Sequence, residues 1–450
     1  MTTSHPPLQF GLAGLGGYAA YVADRLLDVA DSDDPSARLV AVSDPELKRF
    51  PRRIAELRAR GVEVLDDFSQ LLARPIDAVW LPLPIDLHLP FTEASLAAGK
   101  AVICEKPAAG CVDDVDRMIA ARDRAGLPVA IGFQDLYQPA VAVLKKRLVA
   151  RDFGSPTGAS VIGCWPRSAH YFSRNHWAGR CCRDGRWVMD SPACNALAHF
   201  LHLALFLLGE DADGSARPTS VQAELYRANR IENYDTCRLR FTVGGDDLPL
   251  RVGFTHACKT AAEPLVTIET ERARITYVSG RRIEIRGVDH DGIIETIPLT
   301  STPHRHMLAS FRDWVRGGDS ADVLNSTLEM ARAHVVAVNA ASEAAPVVDV
   351  PTPYISVQPA PDGTNIRAVR DINKALQTSI AADCSLSETG LAPWAQPAGM
   401  RHAINGYQHF AGPLAPAAAA AAAITTPVNG KAHPTPVLTV TTHSSSPVVA

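Results

Sequence analysis

The feature that most constrains this 450-residue chain is a glycine-rich junction, Gly14-Leu15-Gly16-Gly17-Tyr18-Ala19. It joins a short apolar run, Leu8–Ala13, to a stretch of helical spacing, Tyr18–Ala30. Gly14 permits a tight turn, Gly16 lets the backbone approach a pyrophosphate, and the small Ala19 allows the helix to pack closely on the strand. The helix N-terminus adds N–H donors and the positive end of its dipole. A second strand, Arg38–Ser43, is followed by Asp44, 28 residues after Gly16. An acidic side chain there binds the ribose hydroxyls of NAD and repels the 2′-phosphate of NADP, so NAD is the expected cofactor. Ser43 tolerates that phosphate and keeps NADP open. Gly14, Gly16, Gly17, Tyr18, Ala19 and Asp44 are therefore expected to hold the dinucleotide.

Strand and helix signals go on alternating. Strands are expected at Val62–Leu65, Ile76–Leu81, Ala101–Cys104 and Pro128–Gly132, and helices at Pro51–Arg60, Phe68–Ala73, Leu89–Ala98 and Val112–Ala125. That order predicts a parallel sheet covered on both faces. The pattern then changes. Thr157–Gly163, Ser220–Ala228, Tyr234–Val243, Leu248–Thr255, Leu265–Thr270, Ala273–Val278 and Arg281–Arg286 read as consecutive strands, which implies a mostly antiparallel sheet. Helices are expected at Ala140–Val149, Cys194–Leu208, His304–Arg316 and Asn325–Ala345. The expected fold is thus an α/β N-terminal Rossmann domain (residues 1–135) followed by an α+β domain with a large sheet (136–410, including a C-terminal extension). Residues 411–450 hold one charged residue, Lys431, and an alanine run, Ala417–Ala423, and are expected to form a disordered tail. One face of the large sheet has no obvious helices to cover it, so a homodimer or homotetramer through that face is expected.

Composition narrows the function classes. Hydrophobic residues make up 46% and charged residues 20%, with a net charge of −4, which gives no broad electrostatic reason to bind nucleic acid. No apolar run reaches the 18 or so residues of a membrane span, and the opening MTTSHPPLQF lacks the basic and apolar regions of a signal peptide. Nine cysteines without a CxxC pair point to reduced thiols and a cytoplasmic location.

Two places carry candidate chemistry. Lys106 ends a strand at the crevice of the parallel sheet, where Pro107 constrains it. Asn195 and His199 are four apart and share a face if Cys194–Leu208 is one helix, with His202 close to that face. Polar groups on so apolar a helix cost roughly 1–3 kcal/mol each unless partnered, and a cleft supplies partners. A histidine titrating near neutral pH suits the role of base, whereas His202 reads as a core histidine. No HExxH pattern or acidic set accompanies His199, His202 and Asp190, so no metal is expected. Between Trp165 and Arg180, aromatic rings, guanidinium groups and amides alternate. Arg174, Asn175 and Trp177 there suit a sugar, whose C–H faces stack on rings while its hydroxyls take hydrogen bonds.

The stretch Ile76–Pro107, ending in Cys104-Glu105-Lys106-Pro107, resembles the Gfo/Idh/MocA oxidoreductase family. Gly132-Phe133, the Asn195–Gly209 helix and Ser326-Thr327-Leu328-Glu329 extend the resemblance over roughly residues 8–350. It implies a nicotinamide cofactor in an interdomain cleft, with Pro84, His88, Glu105 and Lys106 on its side and Lys106 and His199 as catalytic residues. The family commonly has carboxylates four residues before and three after that histidine. Here Asn195 and His202 stand in those places, and Asn195 can orient a hydroxyl but not take its proton. The implied activity is NAD(P)-dependent dehydrogenation of a secondary CH–OH group of a sugar, polyol or sugar derivative. A non-catalytic NAD- and ligand-binding sensor, a reductase and an NAD-retaining lyase are the alternatives, and retention of Lys106 and His199 favours catalysis.

Overall fold

The computed structural model describes residues 5–33, 35–289, 292–317 and 326–415. The alanine run and the rest of the tail from residue 416 lie outside the described residues. The first sheet contains β1 (Leu8–Ala13), β2 (Ala37–Ser43), β3 (Glu63–Leu65), β4 (Ala78–Leu81), β5 (Ala101–Cys104) and β6 (Val129–Ile131). Its order is β3-β2-β1-β4-β5-β6, and every pairing is parallel. β4 (AVWL) and β5 (AVIC) are buried along their whole length, as strands covered on both faces must be. The order reverses between β1 and β4, so their C-terminal ends open a crevice at the switch point where such sheets take ligands. The glycine turn leaves β1 into this crevice, and Lys106 follows β5.

The second sheet holds β7 (Pro156–Cys164) and, beyond a small ladder of β8 (Cys182–Arg183) and β9 (Arg186–Trp187), the strands β10 (Pro218–Arg227), β11 (Thr236–Val243), β12 (Leu248–Thr255), β13 (Ala262–Thr270), β14 (Ala273–Val278), β15 (Arg282–Gly287), β16 (Ile293–Pro298) and β17 (Val347–Asp349). The order is β16-β15-β14-β13-β7-β12-β11-β10-β17. The β7–β12 and β10–β17 pairs are parallel and the other neighbours antiparallel, which is the large, mostly antiparallel sheet expected. β16 was not expected. It is an edge strand with Ile293 and Ile294 exposed, so it lacks the alternation that marks a half-buried strand.

The inner face packs on two helices, Ala198–Leu208 and Leu328–Ala344, and carries Leu239, Phe241, Leu250, Val252 and Phe254 into the main core. The outer face, expected to have no helices over it, is covered in large part by the chain itself, which corrects the premise of the oligomer expectation and leaves the oligomeric state untested. A hairpin of β18 (Ile355–Pro359) and β19 (Asn365–Val369) and a helix, Ile372–Ala382, lie over β7 and β12. A Cβ added at Gly253 on β12 would lie 3.2 Å from the Leu376 side chain. Val369, Ile372, Leu376, Leu386 and Trp394 form a second apolar cluster with Tyr226 and Cys164. The extension ends with β20 (His402–Ala403) paired to β10. It lacks a long periodic pattern, so its role as a cover could not be read from spacing. Ordered contacts reach into the stretch expected to begin the tail: the Ala411 N–H donates to Glu343 (2.7 Å) and the Leu414 N–H to the Ser342 carbonyl (2.8 Å).

All nine thiols are free. Among the described residues no helix is long and apolar enough to cross a membrane.

Candidate active site

The crevice begins at the glycine turn. Gly14 (φ 101°) and Gly17 (φ 56°) take left-handed backbone that side chains resist. A Cβ at Gly16 would lie 2.8 Å from the Phe50 ring, and one at Gly14 would lie 3.1 Å from the Ala19 Cβ. Glycine is therefore required by packing on both sides of the turn. No side chain caps the helix Tyr18–Ala30, and its first turn holds no acidic residue. The Ala19 N–H donates to the Gly16 carbonyl at 3.1 Å, and no side chain competes with an anion for the rest of the first turn. Asp44 accepts from the Leu15 N–H (2.9 Å) and the Glu46 N–H (2.8 Å), which ties the end of β2 to the glycine turn. Each carboxylate oxygen keeps a lone pair for ribose hydroxyls. Ser43 is 5% exposed, whereas Asp44 is half-buried. These residues fit a dinucleotide.

Not every residue assigned to the cofactor side faces it. His88 is buried, with Nδ1 2.9 Å from the Pro107 carbonyl and Nε2 2.9 Å from that of Leu83. It pins the loop after β4 to the loop after β5. Glu105 accepts from Trp80 Nε1 (3.1 Å) and from the Lys106 N–H (3.3 Å) beneath the strand ends. Burial raises its carboxyl to about 7. Pro84 is half-buried on the loop after β4. Tyr18 stands at the start of its helix, its hydroxyl 3.4 Å from His304 Nε2 on the helix Pro303–Val315.

Lys106 crosses from β5 to the second sheet's helices. Its Nζ donates to the Asn195 backbone carbonyl and to Asn195 Oδ1, both at 2.8 Å. Burial lowers its pKa against the pull of Glu105 and Asp190. Asn195 Nδ2 donates to Asp190 Oδ1 (2.8 Å), and Asp190 Oδ2 accepts the Gly179 N–H (2.6 Å). Asp190 is a buried carboxylate that reaches the lysine through the amide. Asn195 and His199 do not share one α-helix, although their spacing suggests it. A π-helical turn, Pro192–Ala196, carries Asn195, Leu197 leaves helical geometry (φ −109°), and the α-helix starts at Ala198. Ser191 and Pro192 start that turn. It aims Asn195 at Lys106 and leaves His199 on the helix proper.

His199 lies with Nδ1 3.3 Å from Asp135 Oδ2 and its ring edge-on to Phe133 at 5.6 Å. Burial, then the charge of Lys106, lowers its pKa well below the usual histidine value. His202 is fully buried and stacks flat on Phe133 at 3.8 Å. His334, from the helix Leu328–Ala344, borders the same ring and meets the Ala193 carbonyl at 2.9 Å. The sequence reading missed Asp135, Asp190 as a site residue, and His334. The one available signal was an aspartate inside the apolar stretch that follows Gly132-Phe133.

In the loop between the sheets the Arg174 guanidinium lies over Tyr171 (3.7 Å) and Trp177 (5.1 Å), and its charge reaches Lys106 and Asp190. Asn175 is occupied differently from the role expected of it. Its Oδ1 accepts from the Trp177 and Ala178 N–H groups at 3.1 and 2.8 Å, closing a turn. No cluster of three or more metal-ligating side chains occurs among the described residues.

Comparison with known proteins bears on the fold and the N-terminal region. Residues 8–133 match the model of the oxidoreductase family with an NAD-binding Rossmann fold, GFO_IDH_MocA. The chain is 34% identical over 154 residues to inositol 2-dehydrogenase 4 of Saccharopolyspora erythraea, covering 34% of this chain and 44% of that protein. It is 35% identical over 133 residues to a dTDP-3,4-didehydro-2,6-dideoxy-alpha-D-glucose 3-reductase of Streptomyces antibioticus, covering 29% and 38%. The matched stretches thus span about half the length of these relatives or less. The WlbA dehydrogenase of Bordetella pertussis, solved with NADH and UDP-GlcNAcA, shares the fold with a TM-score of 0.60 at 22% identity, over 75% of this chain and 97% of that one.

Proposed function

We propose that this chain, which belongs to the Gfo/Idh/MocA oxidoreductase family through residues 8–133, is a dehydrogenase that oxidises a secondary hydroxyl of a sugar, polyol or sugar derivative. The observation that carries this reading is the pairing of Lys106 with Asn195, with His199 near enough for the lysine's charge to act on it. A bound nicotinamide would supply the hydride acceptor for the carbon that carries this hydroxyl. Gly14 to Ala19 would hold the pyrophosphate and Asp44 the adenosine ribose, which favours NAD over NADP.

The protein's own part is to place and deprotonate the hydroxyl. Lys106 has three N–H donors, two of them on Asn195, so the third is free for the substrate oxygen. There it stabilises negative charge as it develops. His199 is neutral near pH 7 and takes the proton. Asn195 holds the lysine in place. Arg174 and Trp177 offer a cation and an apolar face to the rest of the sugar. The relatives' names support the substrate class: one acts on inositol and another on a dTDP-sugar.

The test is NADH formation by the purified chain with NAD+ and a panel of inositols, free sugars and sugar nucleotides. Turnover of one class supports the reading. Absence of turnover, together with no rise in thermal stability on adding NAD+, would overturn it. Running the same panel as ketones with NADH decides whether reduction is the favoured direction.

A further inference from the structure

We infer that Asp135 is a positioning residue for His199: its carboxylate accepts from a proton held on Nδ1 and so keeps Nε2 bare for the hydroxyl. The kinetic part of this inference rests on the dehydrogenase reading, while the structural part does not.

Asp135 lies in a short turn, Gln134–Tyr137, directly after β6. Its Oδ2 is 3.3 Å from His199 Nδ1. Its other oxygen accepts the Tyr277 hydroxyl at 2.7 Å, a side chain that arrives from β14 on the second sheet. The carboxylate is thus anchored on one side and aimed at the ring on the other. Asp135 and His199 keep 18% and 12% side-chain exposure, so little water competes for either. Among the described residues His199 is the basic group paired with Asp135, and no arginine or lysine forms an ion pair with it. Phe133 sits edge-on to the ring and limits its rotation.

The ring has two nitrogens and, when neutral, one proton. Nδ1 is buried and makes no aligned hydrogen bond, and the acceptor beside it is Asp135 Oδ2 at 3.3 Å. A proton on Nδ1 lies beside a carboxylate that a small turn of the ring would bring into line, whereas a bare Nδ1 would set a lone pair against one. The first tautomer is favoured, and it leaves Nε2 as the acceptor. When Nε2 takes the hydroxyl proton the ring becomes an imidazolium. Its positive charge then stands beside Asp135, which offsets the unfavourable approach of Lys106, His202, His304 and His334. Asn195 cannot supply this negative charge, and Asp190 is committed to Gly179 and Asn195.

The experiment is nitrogen NMR of histidine-labelled protein, with the His199 signals assigned by their loss in His199→Gln. In the wild type His199 should show the Nδ1–H pattern. In Asp135→Ala the Nε2–H form should appear, because Nδ1 has lost its acceptor. Tyr277→Phe, which keeps the carboxylate and removes its anchor, should give a mixture. With the best substrate found, Asp135→Ala should lower kcat by up to about 10²-fold while leaving KM for NAD+ within about threefold. A wild-type His199 in the Nε2–H form, or the same pattern in the wild type and Asp135→Ala, would overturn the inference. If Asp135→Ala does not fold, the wild-type spectrum and Tyr277→Phe decide it. A protein with no turnover but the Nδ1–H pattern would refute the dehydrogenase reading and leave the placement of His199 standing. Turnover with unaltered tautomers does the reverse.

Discussion

On β11, Leu239 and Phe241 turn toward the core helices, while Arg238 and Arg240 turn the other way and meet Asp383 at 3.3 and 2.6 Å. The same strand therefore serves two different faces. The inner face is apolar and rigidly backs the helix that carries His199. The outer face mixes apolar and charged residues, and its cover is equally mixed. Leu376 and Trp394 meet its apolar part, while Asp383, Ser379 and the backbone of Leu386 meet Arg238 and Glu224. Farther along, Glu269 on β13 pairs with Arg274 on the neighbouring β14 and, past β7, with Arg251 on β12, and Arg282, Glu284 and Arg286 pair within β15. Alternation in a strand shows which residues share a face, but not which segment will lie against it.

The two faces should respond differently to substitution. The largest effect belongs to the inner side: Lys106→Ala and His199→Ala should each lower the single-turnover rate about 10²–10⁴-fold and leave NAD+ binding intact. Near wild-type rates in both would move the chemistry elsewhere. On the outer side, Leu376→Ala should cost about 2–5 kcal/mol by urea unfolding, since Leu376 is fully buried beneath the extension. It should change the rate little. A loss below about 1 kcal/mol would mean that the cover is not part of the folded unit.

A third prediction concerns Glu224, whose carboxyl burial raises to about 7. The folded state then holds a proton that the unfolded chain has already lost. Stability from this group is complete below the unfolded value of about 4.5 and declines as pH rises through about 7. Glu224→Gln should remove about 1–3 kcal/mol of that decline, measured as the difference from the wild type across this window. An unchanged slope would show that Glu224 is hydrated. The smallest effect belongs to the point where the cover touches the loop between Trp165 and Arg180. Asp362, at the tip of the hairpin, accepts from Ser168, and Thr364 accepts the His170 N–H at 3.3 Å. Asp362→Ala should raise KM for the sugar by about two- to fivefold without changing KM for NAD+. Equal changes in both constants would argue against a local effect.

The parallel sheet was legible because β1, β4 and β5 are continuous apolar runs interrupted by glycine turns and amphipathic helices. Lys106 and His199 were legible as polar residues in positions that need a partner. The π-helical turn was not, because Pro192 to Ala196 has ordinary helical composition and only the dihedrals of Leu197 reveal the break. Asp135 was missed because its partners, His199 and Tyr277, lie 64 and 142 residues away and no local periodicity connects them. The outer cover was missed for a related reason. Its helix, Ile372–Ala382, is short, and its apolar side is recognisable only once β12 is in place opposite it.

The lysine that crosses the cleft has a mechanical consequence. Both of its bonds to Asn195 span the gap between the first sheet and the helices of the second. A separation of the two halves by about 1 Å would take both beyond hydrogen-bond length. The ammonium would then lie unpaired in a low-dielectric crevice unless water followed it in. Opening the cleft, wetting it and disengaging the lysine are thus one event, and a closed cleft is dry and correctly set at the same moment.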